Sequence, residues 1–127
     1  MITVVAALIK KNNKFLLAKR STGKDDVVGK WEFPGGKVQK NETEEEAIER
    51  EIKEEFEMEI KAITFLVNNT YKYPSQTIDL RLYGCEYLSG DFCLHDHSEY
   101  VFVKKEDILK YDLCPADIPL AKYVKEM

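Results

Sequence analysis

The sequence predicts a single α+β domain, and three observations carry that expectation. Apolar, β-branched runs separated by polar turns occur on both sides of one strong helix signal, Thr43-Glu44-Glu45-Glu46. Two further helical patterns close the chain, at Lys104–Lys110 and Pro115–Lys125. A length of 127 residues suits one hydrophobic core and is too short for two of ordinary size, so the domain should span residues 1–127.

Taken in order, Ile2–Lys10 and Lys14–Lys19 read as two strands joined by the polar turn Lys11-Asn12-Asn13. Arg20–Lys30 is polar and reads as a loop. The following Trp31-Glu32-Phe33-Pro34-Gly35-Gly36 ends in a Pro-Gly-Gly that stops regular structure and lets backbone approach a ligand closely. Thr43 as N-cap and Glu46 three residues into the helix form a capping box, which starts a helix expected to end near Phe56. Ile60–Asn69, Ile78–Leu88 and Tyr100–Val103 are rich in β-branched or aromatic residues and read as strands. In the last helix Asp117 is placed to cap and Pro119 falls in the first turn.

Composition excludes several classes. No apolar run approaches the roughly 18 residues of a membrane span, and no basic-then-apolar leader is visible, so a cytoplasmic protein with no membrane partner is expected. Cys85, Cys93 and Cys114 are an odd set without Cys-x-x-Cys spacing, which argues for thiols rather than a disulfide framework. A net charge of −4 disfavours binding to a nucleic-acid polymer. A protein of this charge that handles phosphates needs help from metal ions.

The helix itself calls for a cation. At about 100° per residue, Ile48, Ile52 and Phe56 form an apolar stripe, and Glu51, Glu54 and Glu55 crowd the adjoining arc. Carboxylates at that spacing repel one another. Arg50 answers part of the charge, and Mg²⁺ takes hard oxygen ligands of this kind together with substrate phosphates. A solvated surface helix has the same composition, and spacing alone does not separate the two readings.

Order separates them. Gly36, five residues, Glu42, seven residues and then Arg50-Glu51-Ile52-Lys53-Glu54-Glu55 resembles the Nudix box over Gly36 to Met58. One fixed position departs: Glu57 replaces the glycine that normally ends the helix in a left-handed turn, which implies a strained or differently shaped cap. The resemblance extends through Leu16–Arg20, Trp31–Val38 and Cys114–Leu120, and is closest to the MutT-like branch that includes CTP pyrophosphohydrolases and 8-oxo-dGTP diphosphatases. It implies an α/β/α sandwich around a mixed sheet. It also implies metal ligation by the Gly35 carbonyl and by Glu51, Glu54 and Glu55, with a further carboxylate from Leu94–Glu99, where Asp96 is the first choice and Glu99 the second.

By the same resemblance, Mg²⁺, or Mn²⁺ in its place, would assist water attack on a nucleoside triphosphate to release the monophosphate and pyrophosphate. Glu51, Glu54 and Asp96 are the candidates for proton acceptor. Arg20 and Lys37 would contact phosphate oxygens, unless they are ordinary exposed bases. Phe33, Tyr71, Tyr73 and Tyr83 would wall a base slot, unless they are plain core. Asp117 stands where CTP-directed relatives have Asp and 8-oxoguanine-directed relatives have Asn; ionised, it would only accept hydrogen bonds, which suits cytosine N4 or a guanine N1/N2 edge, and it could also or instead be an N-cap.

Three rival readings stay open. Cys93, His95 and His97 alternate along the chain and offer Zn²⁺ three ligands, although two histidines flanking Asp96 more simply support its loop. Pro74 resembles a spacing of ADP-ribose-directed members, so an ADP-ribose or dinucleoside-polyphosphate hydrolase is an alternative. A non-catalytic nucleotide-binding module is another, disfavoured because all three glutamates are present. A monomer or a homodimer suits either.

Overall fold

A computed structural model describes residues 1–90 and 92–127. Strands β1 (Ile2–Lys11) and β2 (Lys14–Arg20) form the opening hairpin. Asn12 and Asn13 at its tip both take left-handed φ, 52° and 61°. Two such residues in succession match the right-handed twist of the flanking strands, and Asn tolerates that conformation.

The rest of the sheet comprises β3 (Trp31–Glu32), β4 (Gly35–Lys37), β5 (Met58–Lys72), β6 (Thr77–Gly90) and β7 (His97–Val103). Its order is β3-β2-β1-β6-β5, with β4 paired to β1 and β7 to β2. The β1–β6 pairing is parallel and the others antiparallel, so the sheet is mixed. On its other edge β1 pairs with β2 at Lys10–Lys11 and with β4 at Val4–Ala6. The first two strands therefore part beyond the hairpin, and the opening between them becomes the cleft described below.

Period-2 alternation gives β1 two buried faces. Val5, Ala7 and Ile9 pack with Ala47, Ile48, Ile52 and Phe56 of helix α1 (Glu44–Phe56), whereas Ala6 and Leu8 pack with Leu120, Ala121 and Val124 of helix α2 (Ile118–Lys125). Two helical layers on one sheet make the expected sandwich. Burial of Ile48, Ile52 and Phe56 stabilises the α1 contact by roughly 1.5–3 kcal/mol each, and all three are 0% exposed.

Helix α1 begins as the capping box requires: the Glu46 N–H donates to Thr43 Oγ1 at 3.1 Å, and the Thr43 N–H to Glu46 Oε1 at 2.8 Å. Its C-cap, Glu57, sits at φ 55°, ψ 36° with its N–H on the Lys53 carbonyl at 3.0 Å. The left-handed shape is thus kept without glycine, at a cost of roughly 1–2 kcal/mol for an L-residue.

Four expectations need correction. Regular structure breaks only at Phe33-Pro34: Trp31–Glu32 form β3 before it, and Gly35–Lys37 form β4 after it, because β4 is held by backbone pairing to β1 and needs no side-chain pattern. The segment from Lys105 to Lys110 is a 3₁₀ helix. Pro115–Asp117 is also 3₁₀, and α2 starts only at Ile118. Asp117 makes no side-chain cap, since its carboxylate is used elsewhere. Among the described residues, no helix is long and apolar enough to cross a membrane.

Candidate active site

Two glycines prepare the floor of the cleft. A Cβ on Gly35 would run into the Val5 carbonyl oxygen, so only glycine lets β4 lie this close to β1. A Cβ on Gly36 would lie within 2.6 Å of all three atoms of the Glu51 carboxyl group. The missing side chain at Gly36 is the space that Glu51 occupies.

Arg50 organises the glutamates beside it. Its Nε and Nη2 donate to the two oxygens of Glu42 at 3.0 and 2.7 Å, its Nη1 to Glu51 Oε1 at 2.9 Å and Glu54 Oε2 at 3.2 Å, and its Nη2 also to the Lys37 carbonyl at 3.1 Å. These bonds raise the Arg50 pKa, the Glu42 bond most, and hold the Glu42 carboxyl below its ordinary range. The planar guanidinium fork suits this role. Arg50 thus touches the carboxylates, as the sequence suggested.

Glu55 behaves differently. It is 8% exposed, its Oε2 is buried with no hydrogen-bond partner among the described residues, and its carboxyl is pushed up to about 9 by burial first and then by the charges of Glu51, Glu32 and Asp96. Burial also raises Glu51, against the Arg50 hydrogen bond. A buried carboxylate oxygen without a donor, amid other carboxylates, has the chemistry of a hard-cation site.

Glu51 and Glu55 line a cleft of about 370 Å³ together with Arg20, Lys37, Tyr73 and Cys114. Asp96 lines an adjoining cavity with Arg20, Glu32, Gly35, Glu55 and His97. Glu99 instead lies on β7 and pairs with Lys19 at 3.3 Å. Of the two loop carboxylates, Asp96 is the one beside Glu55. Glu54 has a side chain 59% exposed and turns to Arg50.

Sequence reasoning gave His97 a supporting place beside Asp96 but missed Glu32, and with it the pairing of Glu32 to Arg20 and His97. Glu32 Oε1 accepts from Arg20 Nη1 at 3.1 Å, and its Oε2 pairs with His97 Nε2 at 2.9 Å, while the His97 ring stacks on Phe56 of α1 with centroids 5.3 Å apart. The available signal was a carboxylate between Trp31 and Phe33, an expensive place for a charge without a partner. Arg20 therefore reaches the cleft already engaged by Glu32.

The expected base slot is only partly assembled. Tyr73 lines the cleft, with its hydroxyl accepting the Ala116 N–H at 3.1 Å. Phe33, at 2% exposure, is core. Tyr83 belongs to the opposite face and bonds Glu44 at 2.6 Å. Asp117 is buried behind the cleft, where its Oδ2 accepts the Phe33 N–H at 3.0 Å. Burial, then the charge of Glu32, raises its pKa well above the usual carboxylate range.

The alternation of Cys93, His95 and His97 is broken by bends at His95 and Asp96, which turn His97 into the core while Cys93 and His95 stay exposed. The three do not converge. None of the three cysteines forms a disulfide.

A helix of carboxylates over a glycine floor, beside a cleft with three basic side chains, Arg20, Lys24 and Lys37, defines a site for metal-assisted work on phosphate esters or anhydrides. Residues 1–123 match the family model described as NUDIX domain, and the chain belongs to that family of hydrolases, which use divalent metals. It is 37% identical over 120 residues to a CTP pyrophosphohydrolase of Escherichia coli (strain K12), covering 94% of this chain and 88% of that one. An 8-oxo-dGTP diphosphatase of Proteus vulgaris is 37% identical over 73 residues, 58% of this chain and 64% of the relative. The crystal structure of a MutT protein from Methanosarcina mazei Go1 superposes with a TM-score of 0.85 at 27% identity, over 98% of this chain and 91% of the other.

Proposed function

We propose that this chain, acting as one domain over residues 1–127, hydrolyses a nucleoside triphosphate of the (d)CTP or 8-oxo-dGTP type to the monophosphate and pyrophosphate with Mg²⁺. The observation that carries this reading is the cleft itself. It joins the carboxylates Glu51 and Glu55 and the bases Arg20, Lys24 and Lys37 to an apolar end at Ile78, Leu80 and Tyr73, which suits a molecule with a charged and an apolar half. The named activities of the two relatives support the same substrate class.

The Gly35 carbonyl, Glu51, Glu54, Glu55 and Asp96 would hold the divalent ion, and the partnerless Glu55 oxygen fits such an ion best. Bound there, Mg²⁺ or Mn²⁺ would neutralise phosphate charge and acidify the attacking water. Arg20 and Lys37 bind phosphate oxygens, Arg20 by exchanging part of its bond to Glu32. Glu51 takes the proton from water: it lines the cleft beside Glu55, Glu54 does not, and burial raises its pKa above the ordinary carboxylate value. Arg50 holds that carboxylate in place. The protein is expected to act as a monomer or homodimer, and three cysteines outside any disulfide support a reducing, cytoplasmic setting.

The test is pyrophosphate release with Mg²⁺ from CTP, dCTP, 8-oxo-dGTP, dGTP and ADP-ribose. Turnover of a triphosphate is expected to fall about 10²- to 10⁴-fold in Glu51→Gln, the range of a lost general base, with the acid limb of the pH profile flattened. Monophosphate release from ADP-ribose alone would overturn the substrate class. Binding without turnover across the panel would point to a regulatory module.

A further inference from the structure

Outside the cleft, one cluster combines three different metal-ligating side chains. Glu57, Cys93 and His95 are all exposed, and one ligand atom from each lies within 4.8 Å of the others. Glu57 Oε2 meets His95 Nε2 at 2.7 Å. Hydrogen bonds from Cys93, the larger effect, and from His95 hold the Glu57 carboxyl below its ordinary range. The backbone fixes this meeting: the Cys93 N–H donates to the Phe56 carbonyl at 3.1 Å and the His95 N–H to the Glu55 carbonyl at 3.2 Å, so the loop is zipped onto the end of α1. Leu94 between them turns inward against the α1 core, which points its two neighbours outward.

We propose that Glu57, Cys93 and His95 form a second cation site, for a borderline-soft divalent ion such as Zn²⁺, distinct from the hard-cation site of the glutamate helix. Thiolate, imidazole and carboxylate are the ligand types Zn²⁺ takes, and three of them leave a fourth position for water. Zn²⁺–ligand distances of about 2.0–2.3 Å place tetrahedral ligand atoms roughly 3.5 Å apart. The 2.7 Å contact between Glu57 and His95 opens slightly to reach that spacing. Binding releases the Cys93 thiol proton to solvent. Mg²⁺, which prefers all-oxygen coordination, competes poorly here. The residue that departs from the Nudix box, Glu57, is thus the ligand that completes the set. An ion at this position ties the loop carrying Asp96 to the end of the helix carrying Glu55.

The test titrates the metal-free full chain with Co²⁺, a spectroscopic stand-in for Zn²⁺, in excess Mg²⁺ to occupy the glutamate site. A thiolate-to-Co²⁺ charge-transfer band saturating at one equivalent is expected, and Cys93→Ser should abolish it. Zn²⁺ affinity by calorimetry should fall at least about tenfold in His95→Ala and Glu57→Gly, the scale at which even outer-shell partners act. Glu57→Gly keeps the left-handed cap that glycine favours, so its loss of affinity with an undiminished metal-free melting temperature separates ligation from folding. Absence of the band overturns the proposal. So does a band that survives Cys93→Ser, which would place the thiolate at Cys85 or at Cys114 in the cleft, or an affinity unchanged in both other variants.

Discussion

Asp117 shows how far a single residue's chemistry depends on its surroundings. By type it is an ionised acceptor; buried beside Glu32 and behind Cys114, it favours the neutral form. A carboxyl whose folded pKa is raised contributes most to stability below its unfolded pKa, about 3.9. That contribution is lost as pH rises through the folded value, because the unfolded chain then holds fewer protons. Asp117→Asn, neutral throughout, should therefore remove a downward slope of at most about 1.4 kcal/mol per pH unit. Urea unfolding of both proteins from acid to mildly alkaline pH measures this, and parallel curves would refute it. The residue types were legible in the sequence, but the pairing of Glu32 with Arg20 and His97 was not. It depends on strands that meet across long stretches of chain, at Ala18 with Glu32 and at Arg20 with His97.

Elements were legible in proportion to how local their causes are. Helix α1 ends at the expected Phe56 because its cap, apolar stripe and acidic first turn all lie within its own sequence. Strand β4 was invisible because its sequence is Gly35-Gly36-Lys37, and its reason for existing is β1. The two elements meet at one point, where Gly36 leaves room for Glu51. Gly36→Ala should push that carboxylate out of the Arg50 fork. The expected cost is about 1–3 kcal/mol for overpacking, and about 10²-fold in kcat/KM, the effect of an ångström-scale misplacement. Thermal melts and steady-state turnover report the two separately, and unimpaired turnover would show that the placement of Glu51 does not matter.

For the molecule as a whole, the sandwich follows from two-sided burial of β1, and the strand order could not be read from any one segment. The cleft gathers residues from Val4 to Cys114, with Glu32, Glu51 and Glu55 facing any phosphate that enters. Ligand and divalent ion should therefore stabilise the fold jointly. A non-hydrolysable triphosphate analogue at 100 times its Kd should add about 2.7 kcal/mol with Mg²⁺ present. Little of that should remain when a chelator strips the ion, because the carboxylates then repel the phosphates. Denaturation midpoints with and without the analogue decide it, and equal stabilisation in both conditions would separate nucleotide binding from the metal.

The parallel pairing of β1 with β6 also sets a timetable for folding. Ile2 waits for Ile78 and Lys10 for Glu86, so the first strand made is among the last to find its inner neighbour. Closing so long a loop delays the sheet. On a growing chain, the opening hairpin and the capped helix can form early as local structures, but their apolar faces stay uncovered until the sixth strand arrives. This enzyme should accordingly be most prone to aggregation during synthesis, and should acquire its cleft in one late, cooperative step.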